Sequence, residues 1–81
     1  MANACSQLLK NLDKIHTTEL CEIRIKKNLE LSTDVIKYCI DCIKQAIRIE
    51  RKGKNFYVYT AHSIITINAQ SYTVITAHRV V

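Results

Sequence analysis

Residues 51–79, RKGKNFYVYTAHSIITINAQSYTVITAHR, gather three of the four tyrosines, two of the three histidines and four cations, and hold no Asp or Glu. The missing carboxylates restrict the chemistry. Two-metal phosphodiester hydrolysis and carboxylate-pair glycoside hydrolysis both need acidic side chains in the site. What this composition can do is acid–base work by histidine, with Arg or Lys stabilising negative charge as it develops on phosphate, the chemistry of metal-independent RNA cleavage. His78 as general acid or base, with Arg79 and Tyr72 beside it, are the candidate catalytic residues. The same groups hold a phosphate equally well without reacting, and tyrosines on a strand stack bases as sheet-based RNA binders do. The bland alternative is that the tyrosines pack a half-buried sheet, where aromatic residues are enriched.

These side chains must be positioned by strands. From Ile47 the hydrophobic period changes from about 3.6 to 2, and the single glycine, Gly53, stands where a tight hairpin needs positive φ. Strands are expected from about Ile47, over 56–60, over 64–68 and from 71 or 72 to 77, in a simple meander. Side chains alternate along a strand, so Phe56, Val58, Ile65 and Ile67 point at the core. The last strand is read with Thr73, Ile75 and Ala77 inward. The open face then shows Tyr57, Tyr59, Thr66, Asn68, Tyr72, Thr76 and His78, with Arg48 and Lys52 at its border and no carboxylate. Ligand-binding candidates are Arg51, Lys52, Lys54, Tyr57, Tyr59, Thr66, Asn68, Thr76 and His62. The tripeptide Thr-Ala-His occurs twice, at 60–62 and 76–78, and is read as chance recurrence.

Ahead of the sheet the period is helical. Asn3 to Lys14 places Cys5, Leu8, Leu9 and Leu12 on one face. After a break at Ile15-His16-Thr17, where His16 is read as an exposed loop residue, Thr18 is a natural N-cap with Glu19 and Glu22 in the first turn. That second helix runs to about Leu29, with Leu20, Ile23, Cys21 and Leu29 inward and Arg24, Lys26 and Lys27 outward. Ser32, Thr33 and Asp34 start a third, in which Val35, Ile36, Cys39, Ile40, Ile43 and Ile47 recur at helical spacing. The fold class expected is α+β: two or three N-terminal helices on one face of a four-stranded antiparallel meander. One domain covers 1–81, helical over 1–47 and sheet over 48–81.

A net charge of +5 is concentrated around Lys44, Arg48, Arg51, Lys52 and Lys54, which face only Glu50. Such clustering favours anionic partners. The apolar runs are far short of the roughly 20 residues that cross a bilayer, and no signal core is present, so a soluble cytoplasmic chain without membrane contact is expected. The four cysteines are expected to be reduced. Cys39-x-x-Cys42 sits mid-helix without a second ligand pair at suitable spacing, so neither a metal nor a cofactor is expected.

At residues 11–20, 24–29, 51–58 and 65–79 the chain resembles a family of short, uncharacterised bacterial proteins, a domain of unknown function, whose members read approximately LLxNLDKIHTTELGxxRIKKNL, RKGKNWYV and ITINAHSYTIITAHK. Cys21, Phe56 and Gln70 stand where that family commonly has Gly, Trp and His, while His78 falls on its terminal Thr-Ala-His. The helices-then-sheet outline is similar to that of small ribonuclease toxins, a likeness at the level of fold. The favoured expectation is a small basic protein that binds RNA or a phosphorylated nucleotide on its open sheet face, with metal-independent cleavage as its catalytic form. The alternative is a non-catalytic binder or inhibitor, such as a phage counter-defence protein that engages a protein partner or sequesters a nucleotide.

Overall fold

Side-chain caps decide where the main helices begin. Thr18 accepts a hydrogen bond from Cys21 N at 3.2 Å and opens α2, Glu19–Leu29, and Asp34 Oδ1 accepts from Ile36 N and Lys37 N at 2.9 and 3.3 Å ahead of the third helix, Val35–Lys44. The first is α1, Ala4–Lys10, followed by a 3-10 turn at Leu12–Lys14. The helix Val35–Lys44 is α3. The computed structural model describes residues 4–30 and 34–79; Asn3, Ser32, Thr33 and the side chain of Cys5 lie outside the described residues. Removing the Asp34 cap orphans two backbone donors, so Asp34→Ala is expected to cost about 1 kcal/mol in urea denaturation. An unchanged midpoint would mean that the cap is idle.

The strands are β1 (His16–Thr17), β2 (Arg48–Lys52), β3 (Asn55–Tyr59), β4 (Ser63–Asn68) and β5 (Thr73–Arg79), in sheet order β1-β5-β4-β3-β2. The α+β class holds, and β2 to β5 form the expected antiparallel meander. Among the described residues the sheet is mixed and five-stranded, because β1 pairs parallel to β5. Parallel neighbours need a long crossover, and here α2, α3 and three strands supply it. His16 is thereby a strand residue: its Nε2 lies 3.0 Å from Thr73 Oγ1 and its Nδ1 2.9 Å from Lys14 O, while Thr17 Oγ1 donates to Val74 O at 2.8 Å.

Each hairpin turn has its own chemistry. Gly53, at φ +59, begins a two-residue connection whose second residue, Lys54, stays at negative φ, the II′ pattern that matches strand twist. Thr60 replaces a glycine in the next turn, its Oγ1 accepting from His62 N and Ser63 N at 3.3 and 3.0 Å. Asn68 closes the third, its Oδ1 accepting from Gln70 N and Ser71 N, both at 2.9 Å, and Tyr72 leaves it in the left-handed region at φ 59.

Among the described residues one core joins α1, α2 and α3 to one sheet face: Leu8 from α1, Ile25 and Leu29 from α2, and Val35, Cys39 and Ile43 from α3 meet Phe56, Val58, Ile65, Ile67, Val74 and Ala77. Two expectations about its inner surface are corrected. In α2 the inward stripe is Cys21, Ile25 and Leu29, four residues apart along the side that faces β5, where Asn28 Nδ2 donates to Ala77 O at 3.2 Å; Leu20 and Ile23 point outward, 77% and 59% exposed. Ile47 falls beyond the end of α3 and is exposed, its N–H donating to Tyr59 O. Among the described residues no helix is long and apolar enough to cross a membrane.

Candidate functional site

Alternation on β2, β3 and β4 brings two cross-strand rows to the sheet face opposite the helices. Pairing sets Arg48, Tyr59, Ile64 and His78 in one row, and Glu50, Tyr57, Thr66 and Thr76 in the next. Phe56, Val58, Ile65 and Ile67, one residue out of phase, are completely buried beneath them. Tyr57 and Tyr59 are half-buried neighbours on the same face of β3, about 7 Å apart at the backbone because they stand two strand rises apart, with only Val58 between them. Thr66 is buried, 8% exposed.

The last strand departs from strict alternation. Between Thr66 and Ile67 the β4–β5 register shifts, so that Thr66 faces Thr76 while Ile67 faces Val74, and Ile75 is the extra residue of a β-bulge. The bulge reverses the facing of everything before it. Val74, expected outward, is completely buried, and Ala77 is inward as expected, so that Thr76 and His78 reach the open face. Tyr72 is carried to the helix side: its ring centroid lies 6.3 Å from that of Phe56, Gln7 Nε2 donates to its hydroxyl at 3.2 Å, and Lys14 Nζ sits 5.8 Å from its centroid. It is a core-edge residue and not part of the open face.

The cations are also redistributed. Arg79 faces away from His78, as consecutive strand residues must, and its guanidinium meets Glu30 at 3.3 Å and Leu29 O at 3.4 Å at the end of α2. Arg51 lies on the helix side, its guanidinium 5.5 Å from the Phe56 ring centroid and its Nε donating to Gly53 O at 3.0 Å. Lys54 is in the hairpin turn. Lys52 does project on the open side, but in the row of Asn55 and Asn68, three strands across and four residues along from His78, a separation of roughly 20 Å at the backbone. His78 therefore has neither Arg79, Tyr72 nor Lys52 at hand.

Glu50 is one residue that sequence reasoning left off this face, and Thr73, expected inward, is another, since its neighbour Val74 is the buried one. Glu50 shares the phase of Arg48 and Lys52, and that pattern was visible in the sequence. Its carboxylate pairs with the Arg48 guanidinium and lies 3.5 Å from Lys52 Nζ, so the face carries a carboxylate after all. Held in this way, the Arg48 guanidinium sits over the Tyr59 ring, 5.7 Å from its centroid, in cation–π range. Asn68 is committed to its turn through Oδ1.

His62 is placed elsewhere. It lines a cleft of about 420 Å³ with Tyr38, Asp41 and Cys42 of α3, and with Ile47 and Thr60. Burial pushes the Cys42 thiol and the Tyr38 phenol up from their ordinary values, so neither is primed as a nucleophile. Cys39 is in the core and Cys42 is partly buried, as their helical positions imply. Among the described residues no three His, Cys, Asp or Glu side chains gather as metal ligands would.

The chain belongs to the family described as protein of unknown function (DUF3781), whose model matches residues 9–78. That span contains the whole of the open face up to His78. No curated protein and no solved structure matches the chain.

Proposed function

We propose that the open sheet face binds single-stranded RNA or a phosphorylated nucleotide by stacking bases on Tyr57 and Tyr59. The observation that carries this reading is the pair of tyrosines at adjacent same-face positions of β3, with the Arg48 guanidinium over the Tyr59 ring. A spacing of about 7 Å suits successive unstacked bases, and Thr76 and His78, in the same two rows but two strands away on β5, offer hydrogen bonds to base edges or phosphate farther along the bound strand. A basic chain of net charge +5 supplies the sequence-independent attraction. The reading is one of binding. Cleavage in which His78 moves a proton while a lysine or arginine steadies the phosphorane finds its weakest support in the roughly 20 Å between His78 and Lys52 and in the engagement of Arg79 by Glu30.

The test is fluorescence anisotropy with a labelled single-stranded RNA in EDTA at about 50 mM salt, where electrostatic attraction is near its strongest. Stacking on an aromatic contributes about 1–3 kcal/mol per base, so Tyr57→Ala and Tyr59→Ala are each expected to weaken binding at least fivefold, and Arg48→Ala to reduce both affinity and its salt dependence. His78→Ala, assayed on the same RNA for cleavage, separates binding from catalysis: RNA that the native chain degrades and His78→Ala leaves intact would make the site catalytic. No binding by the native chain would remove the nucleic-acid reading.

A further inference from the structure

We infer that α2 is a self-association surface, at which two copies of this chain pair with their α2 helices antiparallel about Ile23. Single exposed aliphatic residues are ordinary on a protein surface, but Leu20 and Ile23 lie one turn apart on the same outward side of α2, at 77% and 59% exposure. The opposite side of the helix is already committed, with Ile25 and Leu29 buried against the sheet.

The charges around this apolar pair specify the occupant. Glu19, Ile23 and Lys27 are spaced by four residues each and run along one stripe of the helix. The two charges therefore stand about 6 Å on either side of Ile23, at 1.5 Å per residue. A second α2 laid antiparallel on the first presents the same stripe reversed, placing Lys27 of one copy opposite Glu19 of the other, twice, around an Ile23 contact that Leu20 flanks. A parallel arrangement would set like charges together. Neither Glu19 nor Lys27 has an ion pair within the described residues of its own chain; the neighbouring pair on α2 is Lys26–Glu22, at 3.5 Å. Self-complementarity of one patch is what a two-fold interface requires. An 11-residue helix is about 16 Å long, so the contact is small and belongs with weak, transient associations.

Sedimentation equilibrium of the full chain, from about 20 μM to about 1 mM, spans the range in which a small interface associates. The mass is expected to rise toward that of a dimer across this range. Leu20→Glu and Ile23→Glu, with circular dichroism confirming their fold, are expected to weaken association at least tenfold. Charge reversal supplies the decisive arm. Glu19→Lys alone and Lys27→Glu alone should each remain monomeric, whereas an equimolar mixture of the two should associate, because both contacts of the mixed pair then join Lys to Glu. A native mass that stays monomeric at the highest concentration overturns the inference. So does association indifferent to Leu20→Glu, and so does a mixture that fails to associate.

Discussion

Phe56→Ala is expected to destabilise the fold by about 4 kcal/mol, the middle of the range for truncating a fully buried aromatic residue. Phe56 is completely buried and, among the described residues, is the largest of the fully buried side chains, on the face on which α1, α2 and α3 pack. It also contacts Tyr72 and lies under the Arg51 guanidinium, so its loss opens a void and frees two neighbours. Domains are stable by only about 5–15 kcal/mol in total, and in a chain of this size each kcal/mol moves the midpoint by about 4–8 °C. A fall in Tm of roughly 20 °C should follow. Because Tyr57 is the next residue on β3 and points the other way, the same substitution should weaken nucleic-acid binding without touching the binding face. A loss below about 1 kcal/mol, in the range of an exposed position, would show that this core does not hold β3 as described.

Stability should also fall steeply in alkali. Burial pushes the Cys39 thiol up to about 12 from its ordinary 9.0, with the neighbouring Cys42 and Asp34 adding to the shift. The folded chain therefore keeps the proton through a range in which the unfolded chain has released it. Stability from this group is fully present below pH 9, falls by about 1.4 kcal/mol per pH unit above it, and is lost as the pH passes through about 12, some 4 kcal/mol in all. Burial raises Cys42 and Tyr38 in the same sense. Urea midpoints measured between pH 8 and pH 11 should decline more gently in Cys39→Val than in the native chain; parallel declines would remove Cys39 as the cause. The same burial predicts that a thiol reagent at pH 8 modifies Cys39 only after unfolding.

Much of the face was legible because it depends on period alone. Tyr57, Tyr59, Ile64 and Thr66 alternate with Phe56, Val58, Ile65 and Ile67, and a regular strand with one buried side leaves no other choice of facing. The same holds for the helix start at Thr18, where a short polar side chain meets its own backbone three residues on. For α3 the polar run 32–34 marks the start, with Asp34 expected just after the cap, and the structure puts the cap on Asp34 itself. Glu50 was legible by the same rule, since it is in phase with Arg48 and Lys52.

What local pattern could not decide is what depends on a partner distant in sequence. The bulge at Ile75 lies where β5 pairs with β4 on one side, next to the residues that pair on the other with β1, 57 residues away. Alternation assumes a regular ladder, and one extra residue therefore sent Tyr72 into the core edge and kept His78 on the open face. In α2, apolar residues occupy both sides of the helix, and only contact with β5 selects Ile25 and Leu29 over Leu20 and Ile23. The repeated Thr-Ala-His makes the division plain. At 60–62 the threonine folds back on its own turn, whereas at 76–78 the same three residues lie extended with Ala77 buried and His78 exposed. Sequence determined the period, the caps and the chemistry available; tertiary pairing determined which of those groups meet, because register is set by strands that are neighbours in space and not in the chain.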